Sequence, residues 1–346
     1  MNIHTINPLL DDRWDDLVGR HPQASAFHQR GWVEALARTY GYKPIVLTTA
    51  SPGEPLSDGL VLCRVSSWIT GTRLVSLPFA DHCEPLVNGH RESADFINSL
   101  RQECDRQRWR YVELRPLSGV PDIEQDLKPS ASYWVHQLDT NSTLEQLFDA
   151  LHKNSFRRKI RRAEKEQLNY EVGNSQEFMD QFYRLQLLTR RRHHVLPQPR
   201  SWFSNLVDCL GDKLQIGLAR KDGISVGALL TLRHRSTLVY KYGCSDSHYH
   251  QFGVMPFLFW KLLEYAKAAG VEKIDFGRTD LHNEGLIRFK DRLGTTRKLM
   301  TYYRYSDRRE RKAVTDWRSR GFRELCSILP DPLFASAGGV VYRHIG

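Results

Sequence analysis

Residues 272–294 read EKIDFGRTDLHNEGLIRFKDRLG. Ile274 and Phe276 alternate with polar residues, so the segment opens as a short strand that carries Asp275 toward a Gly-Arg-Thr turn. A polar loop follows, with Asp280, His282, Asn283 and Glu284; then come Phe289-Lys290, and Gly294 closes the stretch. Scaffolds present chemistry at strand ends and in the loops after them. A single lysine beyond such a loop can neutralise charge that develops on an oxygen. Asp275, Asp280, His282 and Glu284 are all candidate proton acceptors, and the sequence does not choose among them. The plain structural alternative is a strand, a polar loop and a cationic helix start.

Upstream, the pattern is strand and helix in alternation. Residues 213–221 and 224–235 read as a hairpin, because Asp222-Gly223 between them favours a tight type I′ turn. Residues 236–245 form the next strand candidate and 255–269 an apolar helix ended by Gly270. Residues 175–191 and 202–210 read as helices, and 144–166 as a basic amphipathic helix with Phe156, Ile160 and Ala163 on one face. The first half runs similarly. A helix over 26–40 with Trp32, Leu36 and Tyr40 on one side ends at Gly41. Strand candidates at 44–50, 58–67 and 72–79, a helix over 91–107 and a strand at 111–114 complete it.

The ordered set Asp275-Phe276-Gly277…Phe289-Lys290…Gly294 resembles the DFG…FK…G signature of FemAB-like transferases, which use the GNAT acyltransferase fold. Tyr183, Leu185, Thr189 and Arg192 are similar to that family's YxLxxxTxxR element, and Tyr240–Ser245 to its Y-x-G-x-S strand. The resemblance covers roughly residues 24–305. It implies an α+β chain of two tandem GNAT-like domains, each with a mixed, mainly antiparallel sheet flanked by helices. Expected bounds are 1–130 and 131–310, the second carrying the transferase motifs, with a helical tail over 311–346.

The resemblance also implies roles. Lys290 would stabilise a tetrahedral oxyanion and Asp275 would share the catalytic site. Tyr183, Arg191, Arg192, Tyr240, Tyr242, Ser245 and Phe289 would bind substrate. In acyl-CoA enzymes of this fold a glycine-rich turn holds the cofactor pyrophosphate. Here that turn reads His250-Gln251-Phe252-Gly253-Val254-Met255, where only Gly253 fits well and Met255 replaces a small residue. In the first domain, His28, Gln29 and Arg30 are candidates to touch an acceptor, and Asp81 and His82 lie in a loop.

Charge narrows the partners. Residues 1–140 hold 14 Lys and Arg against 18 Asp and Glu, and the remainder holds 36 against 22. A basic second half points to an anion: a phosphate-bearing precursor, tRNA or an anionic membrane surface. Six scattered cysteines without paired spacing argue against a zinc site or a disulfide framework, so no metal is expected. No run approaches the ~18 apolar residues that span a bilayer, and MNIHTINPLLDDRWDD lacks the basic-then-apolar order of a secretion signal. The expected location is cytoplasmic, with peripheral contact at the inner membrane face as an option. No G-x-S-x-G elbow, HExxH, GxGxxG or P-loop occurs.

The reading is an acyltransferase that moves an acyl or aminoacyl group onto an amine or hydroxyl of a peptidoglycan or polysaccharide precursor. The donor, acyl-CoA or aminoacyl-tRNA, would be a co-substrate rather than a tightly bound cofactor. The alternative is a non-catalytic protein on the same fold that binds an anionic polymer, nucleic acid or polysaccharide.

Overall fold

The computed structural model describes residues 2–118, 127–306 and 329–346. They fall into two compact units. One gathers 2–133, 299–306 and 340–346; the other gathers 134–298 and 329–339. Two strands and the last helix run through both.

In the first unit, β1 (His4–Ile6), β2 (Lys43–Thr48), β3 (Leu60–Val65) and β4 (Arg73–Val75) pair antiparallel in that order. Next, β5 (Val112–Leu114) joins β4 in parallel. The far end of β12 (Thr296–Tyr305) pairs antiparallel with β5. Helices α1 (Arg13–Arg20), α2 (Arg30–Tyr40) and α3 (His90–Gln107) flank the sheet. Gly41 ends α2 in the left-handed region with φ 69°, as its position in the sequence predicts. Strand β1 and helix α1 were not expected from the sequence.

The second unit orders its strands β6, β11, β10, β9, β8, β7, where β6 is Lys128–Asp139, β7 Asn169–Gly173, β8 Leu214–Lys221, β9 Ile224–His234, β10 Thr237–Ser245 and β11 Lys273–Asp280. All pairs from β7 to β10 are antiparallel, and β10 and β11 are parallel. The β8–β9 hairpin turns on Asp222 and Gly223 at φ 52° and 79°, the two positive angles that a type I′ turn requires. Its helices are α4 (Leu144–Ala150), α5 (Arg158–Lys165), α6 (Gln176–Arg192), α7 (Arg200–Leu210), α8 (Val254–Ala268) and α9 (Glu284–Asp291). Each unit thus has a mixed, mainly antiparallel sheet with flanking helices. The core of the second packs Phe156, Ile160 and Ala163 against Leu258, Phe259 and Leu262 of α8.

The basic helix expected over 144–166 is broken. Leu151 and His152 are extended, and the His152 ring accepts the Ser155 N–H at 3.2 Å. A capping side chain at that point starts a new helix instead of continuing the old one. The first part of the helical tail expected over 311–346, up to residue 328, lies outside the described residues. The tail forms α10 (Asp331–Ile345) and packs. Phe334 is fully buried, and the Tyr42 hydroxyl donates to the Tyr342 carbonyl at 2.8 Å.

Candidate functional site

Strands β10 and β11 pair only from Thr237–Lys273 to Val239–Asp275, although β10 runs on to Ser245 and β11 to Asp280. Where pairing stops, β10 carries a bulge. Tyr240 opposes Thr231 but Tyr242 opposes Leu230, so Lys241 is an extra residue. In a regular strand the two tyrosines would share a face. The bulge separates them. Tyr240 packs on Phe259 and Phe276, whereas Tyr242 packs on Phe182 and Phe203 and accepts the Trp202 indole N–H at 3.0 Å. Both rings serve the core, on opposite faces, and the expected tyrosine pair in a substrate site does not form.

Beyond the splay lies a cavity of about 380 Å³, at the carboxyl end of β10 and the start of α8. Ligands of α/β sheets commonly bind at carboxyl ends of strands. Its lining includes Lys159 of α5, Arg192 at the end of α6, and Arg288 and Arg292 at the end of α9. No acid among the described residues lines it. Met255 and Pro256, in the first turn of α8, form another wall, and that helix has no side-chain cap. Helix N-termini favour anions.

One wall is a tight polar network. Ser245 N–H donates to the Thr189 hydroxyl at 3.0 Å, and that hydroxyl donates to Ser245 O at 3.2 Å. Arg192 Nη1 also donates to Ser245 O, at 3.1 Å, and lies 3.5 Å from His250 Nε2. Ser245 Oγ stands 2.9 Å from the same Nε2. Guanidinium never accepts a hydrogen bond, so His250 Nε2 is the acceptor and its ring proton sits on Nδ1. Partial burial, then the charge of Arg192 and of Lys159, pulls the His250 pKa down, against Asp246. His250 is therefore a neutral base facing a cationic cavity. Sequence reading missed it. The signal was a histidine five residues after the strand-end serine, in the turn before a proline-started helix.

Of the expected site residues, Arg192, Ser245 and Phe289 line the cavity. Phe289 packs on Phe156 and Phe259, with ring centroids 5.2 and 5.5 Å away. Arg191 turns away, pairs with Asp331 at 2.6 Å and stacks on Phe334 at 4.6 Å. Tyr183 is buried, and its hydroxyl donates to Gln198 O at 3.3 Å. Burial pushes its pKa up to about 12. Gly253 is structural. Its φ is 78°, and a Cβ there would stand 2.3 Å from the Lys159 carbonyl oxygen. No other residue fits there, because a side chain would run into the Lys159 carbonyl.

Lys290 departs most from expectation. It is 3% exposed and does not line the cavity. Its Nζ donates to Gly277 O at 3.0 Å and to Arg278 O at 3.2 Å. Asp275, 2% exposed, accepts the Gly277 N–H at 2.7 Å. Aspartate and lysine thus hold the N–H and the C=O of Gly277, at φ 67°; the Gly-Arg-Thr segment expected as a turn is instead part of β11, which runs on to Asp280. Asn283 accepts the Leu286 N–H and starts α9. Asp280, His282 and Glu284 are exposed and outside the cavity lining. In the first unit, His28, Gln29 and His82 are buried, with His28 Nε2 2.9 Å from Glu84 O, and Arg30 ion-pairs with Asp12 and Asp15.

A family model for the GNAT acetyltransferase domain matches residues 150–291, which include every cavity-lining residue except Arg292. No curated protein sequence matches the chain. Among solved structures, FemX is similar with a TM-score of 0.70 and 16% identity, over 88% of this chain and 97% of that one. The C-terminal domain of a protein assigned as a lysylphosphatidylglycerol synthetase, from Agrobacterium fabrum, aligns at 0.57 and 14% identity, over 86% and 91%. A tandem GNAT protein from the clavulanic acid biosynthesis pathway aligns at 0.55 and 12%, over 90% and 100%. Residues 150–291 match the model of a GNAT acetyltransferase domain, and the chain around them has the fold of FemX and of a tandem GNAT protein.

Proposed function

We propose that this chain transfers an acyl or aminoacyl group, from a phosphate-bearing donor, to an amine or hydroxyl of a cell-envelope precursor. One observation carries the reading: four cations and one neutral histidine surround a cavity at the strand ends of the GNAT domain, and no acid among the described residues lines it. Lys159, Arg192, Arg288 and Arg292 hold phosphate, as guanidinium forks and a point charge do. The phosphate belongs to acyl-CoA or to aminoacyl-tRNA. Ser245 Oγ takes the proton of the attacking amine or hydroxyl as it passes its own to His250 Nε2, 2.9 Å away, and Arg192 keeps the ring oriented. The acceptor attacks the donor carbonyl directly, without an enzyme-bound acyl group; the bond from that carbonyl to the CoA sulfur or the tRNA ribose oxygen breaks, and the leaving group takes up the proton held at His250. Lys290 and Asp275 position the α9 wall.

The envelope acceptor rests on the signature at 275–294 and on the fold shared with FemX and with the assigned lysylphosphatidylglycerol synthetase. The experiment is mass spectrometry of envelope precursors from a deletion strain, complemented with wild type or His250→Gln. The expected result is a precursor short of one acyl or aminoacyl mass in the deletion and in the His250→Gln strain. Identical precursors in all three strains overturn the reading and leave a non-catalytic anion binder. The degenerate turn at 250–255, where only Gly253 fits, is the observation that favours that second reading.

A further inference from the structure

The first unit has a cavity of its own, of about 370 Å³, between α3 and the face of the sheet. On β2, residues 43, 45 and 47 point to that face, as the period of two requires. Lys43 lies directly opposite Arg64 of β3, and Arg64 lies directly opposite Leu74 of β4. One lateral row of the sheet therefore carries two cations side by side and then a leucine.

Directly opposed residues stand about 5 Å apart at Cβ, and like charges in that position are destabilising. Neither Lys43 nor Arg64 has an ion-pair partner among the described residues. The one acid among the described residues that line the cavity, Glu103 of α3, is held by Arg106, whose Nε and Nη2 reach Glu103 Oε2 at 2.8 and 2.5 Å. The floor beside the cations is apolar: Leu47, Leu74 and Leu100 are buried, and Trp109 closes the end. A pair of unneutralised cations beside a wall of leucines is poor design for a bare surface. It suits a ligand that brings both missing parts. The volume is that of a small-molecule site.

We infer that this cavity binds an organic anion with an apolar body, its head between Lys43 and Arg64 and its body along the sheet toward Trp109. The head is a phosphate or a carboxylate, since both accept from two converging cations. This inference is independent of the transfer reaction, because it uses no residue of the second unit.

The test is calorimetric titration of the whole protein with octyl phosphate, octanoate, octyl glucoside and inorganic phosphate. The expected result is that one of the octyl anions binds at least tenfold more tightly than the other two probes, and which one identifies the head. Equal binding of octyl glucoside would reduce the cavity to an apolar crevice and overturn the proposal. Equal binding of inorganic phosphate would leave a bare anion site and overturn it too, as would no binding of any probe. In Lys43→Gln/Arg64→Gln the preferred anion should bind at least tenfold more weakly, whereas Lys43→Arg should retain it. Removing two opposed like charges should not lower the melting temperature of the free protein. Lys43→Gln alone, on an exposed side chain, is the variant to read if the double substitution fails to fold. Unchanged affinity in folded Lys43→Gln places the anion elsewhere and overturns the proposal.

Discussion

Phe289 and Lys290 are neighbours in sequence and belong to different worlds. Phe289 lines the cationic cavity together with Arg288 and Arg292. Lys290 points the other way, into a dry knot with Asp275 and the Gly277 peptide. The cavity holds cations, most of them exposed, that a ligand can recruit. The knot holds buried charge that is already committed to backbone groups. The difference teaches that the motif most visible in the sequence marks the part that must not move. The groups placed to do chemistry, Arg192 and His250, lie in less conspicuous segments on the facing walls.

The hardest blow to that division is Lys290→Ala. If the knot is structural, removing the ammonium leaves the Gly277 and Arg278 carbonyls each with one partner fewer. The expected cost is about 3 kcal/mol or more of stability, read by urea denaturation. Lys290→Met, close in shape, should cost a similar amount. On the cavity side, Arg288→Ala should change stability by less than about 0.5 kcal/mol, because the side chain is exposed. A Lys290→Ala protein that is as stable as wild type yet loses turnover ~100-fold would restore the oxyanion role and erase the distinction.

A second probe of the knot is acid. His136 of β6 is fully buried, its Nε2 lies 3.3 Å from Asp291 Oδ1, and its Nδ1 has no hydrogen-bond partner among the described residues. Burial first, then the charge of Lys290, with Arg297 adding and Asp291 opposing, pushes its pKa from 6.5 down to about 4. The folded protein keeps the ring neutral while the unfolded chain takes up a proton. Stability is therefore complete above pH 6.5 and is lost as pH falls toward 4, by up to about 3 kcal/mol. His234, also pushed down to about 4 by burial, acts in the same window. His136→Leu should therefore flatten, without abolishing, the loss between pH 7 and pH 4.5 in denaturant midpoints. An unchanged slope would mean that His136 is not held neutral by the knot.

How much of this was legible beforehand follows from how local each cause is. The β8–β9 hairpin is written in Asp222-Gly223, and the end of α2 in Gly41, because each needs only its own residues. The bulge at Lys241 is not written locally. It is set by the mismatch between β9 and β10, and it undoes the same-face tyrosine pair that strict alternation predicts. The break at Leu151-His152 depends on a histidine acting as a helix cap, a role that composition does not signal. Strand β7, at the sheet edge, was also missed. Its sequence, NYEVG, is too short and polar to show a period. Within the candidate site, Arg192 and Ser245 were visible because they sit in recognisable elements. His250 was not, since its meaning comes from Ser245 and Arg192 meeting it across two elements.

The finest test separates two adjacent arginines that the sequence treats alike. Arg192 reaches the cavity and Arg191 does not, although both end the same helix. Arg192→Ala should weaken inorganic pyrophosphate binding about tenfold, since a charge-assisted contact to phosphate is lost. Arg191→Ala should leave that affinity unchanged. It should instead cost about 1 kcal/mol of stability or less, through the exposed pair with Asp331 and the stacking on Phe334. Salt should weaken the wild-type affinity and should weaken that of Arg192→Ala less steeply, because one cation fewer faces the ligand. If both substitutions lower affinity equally, the end of the helix acts as a diffuse cationic field. The pointed geometry at Ser245 and His250 would then have no part in recognising the anion, and only the knot would remain of the division between the two faces.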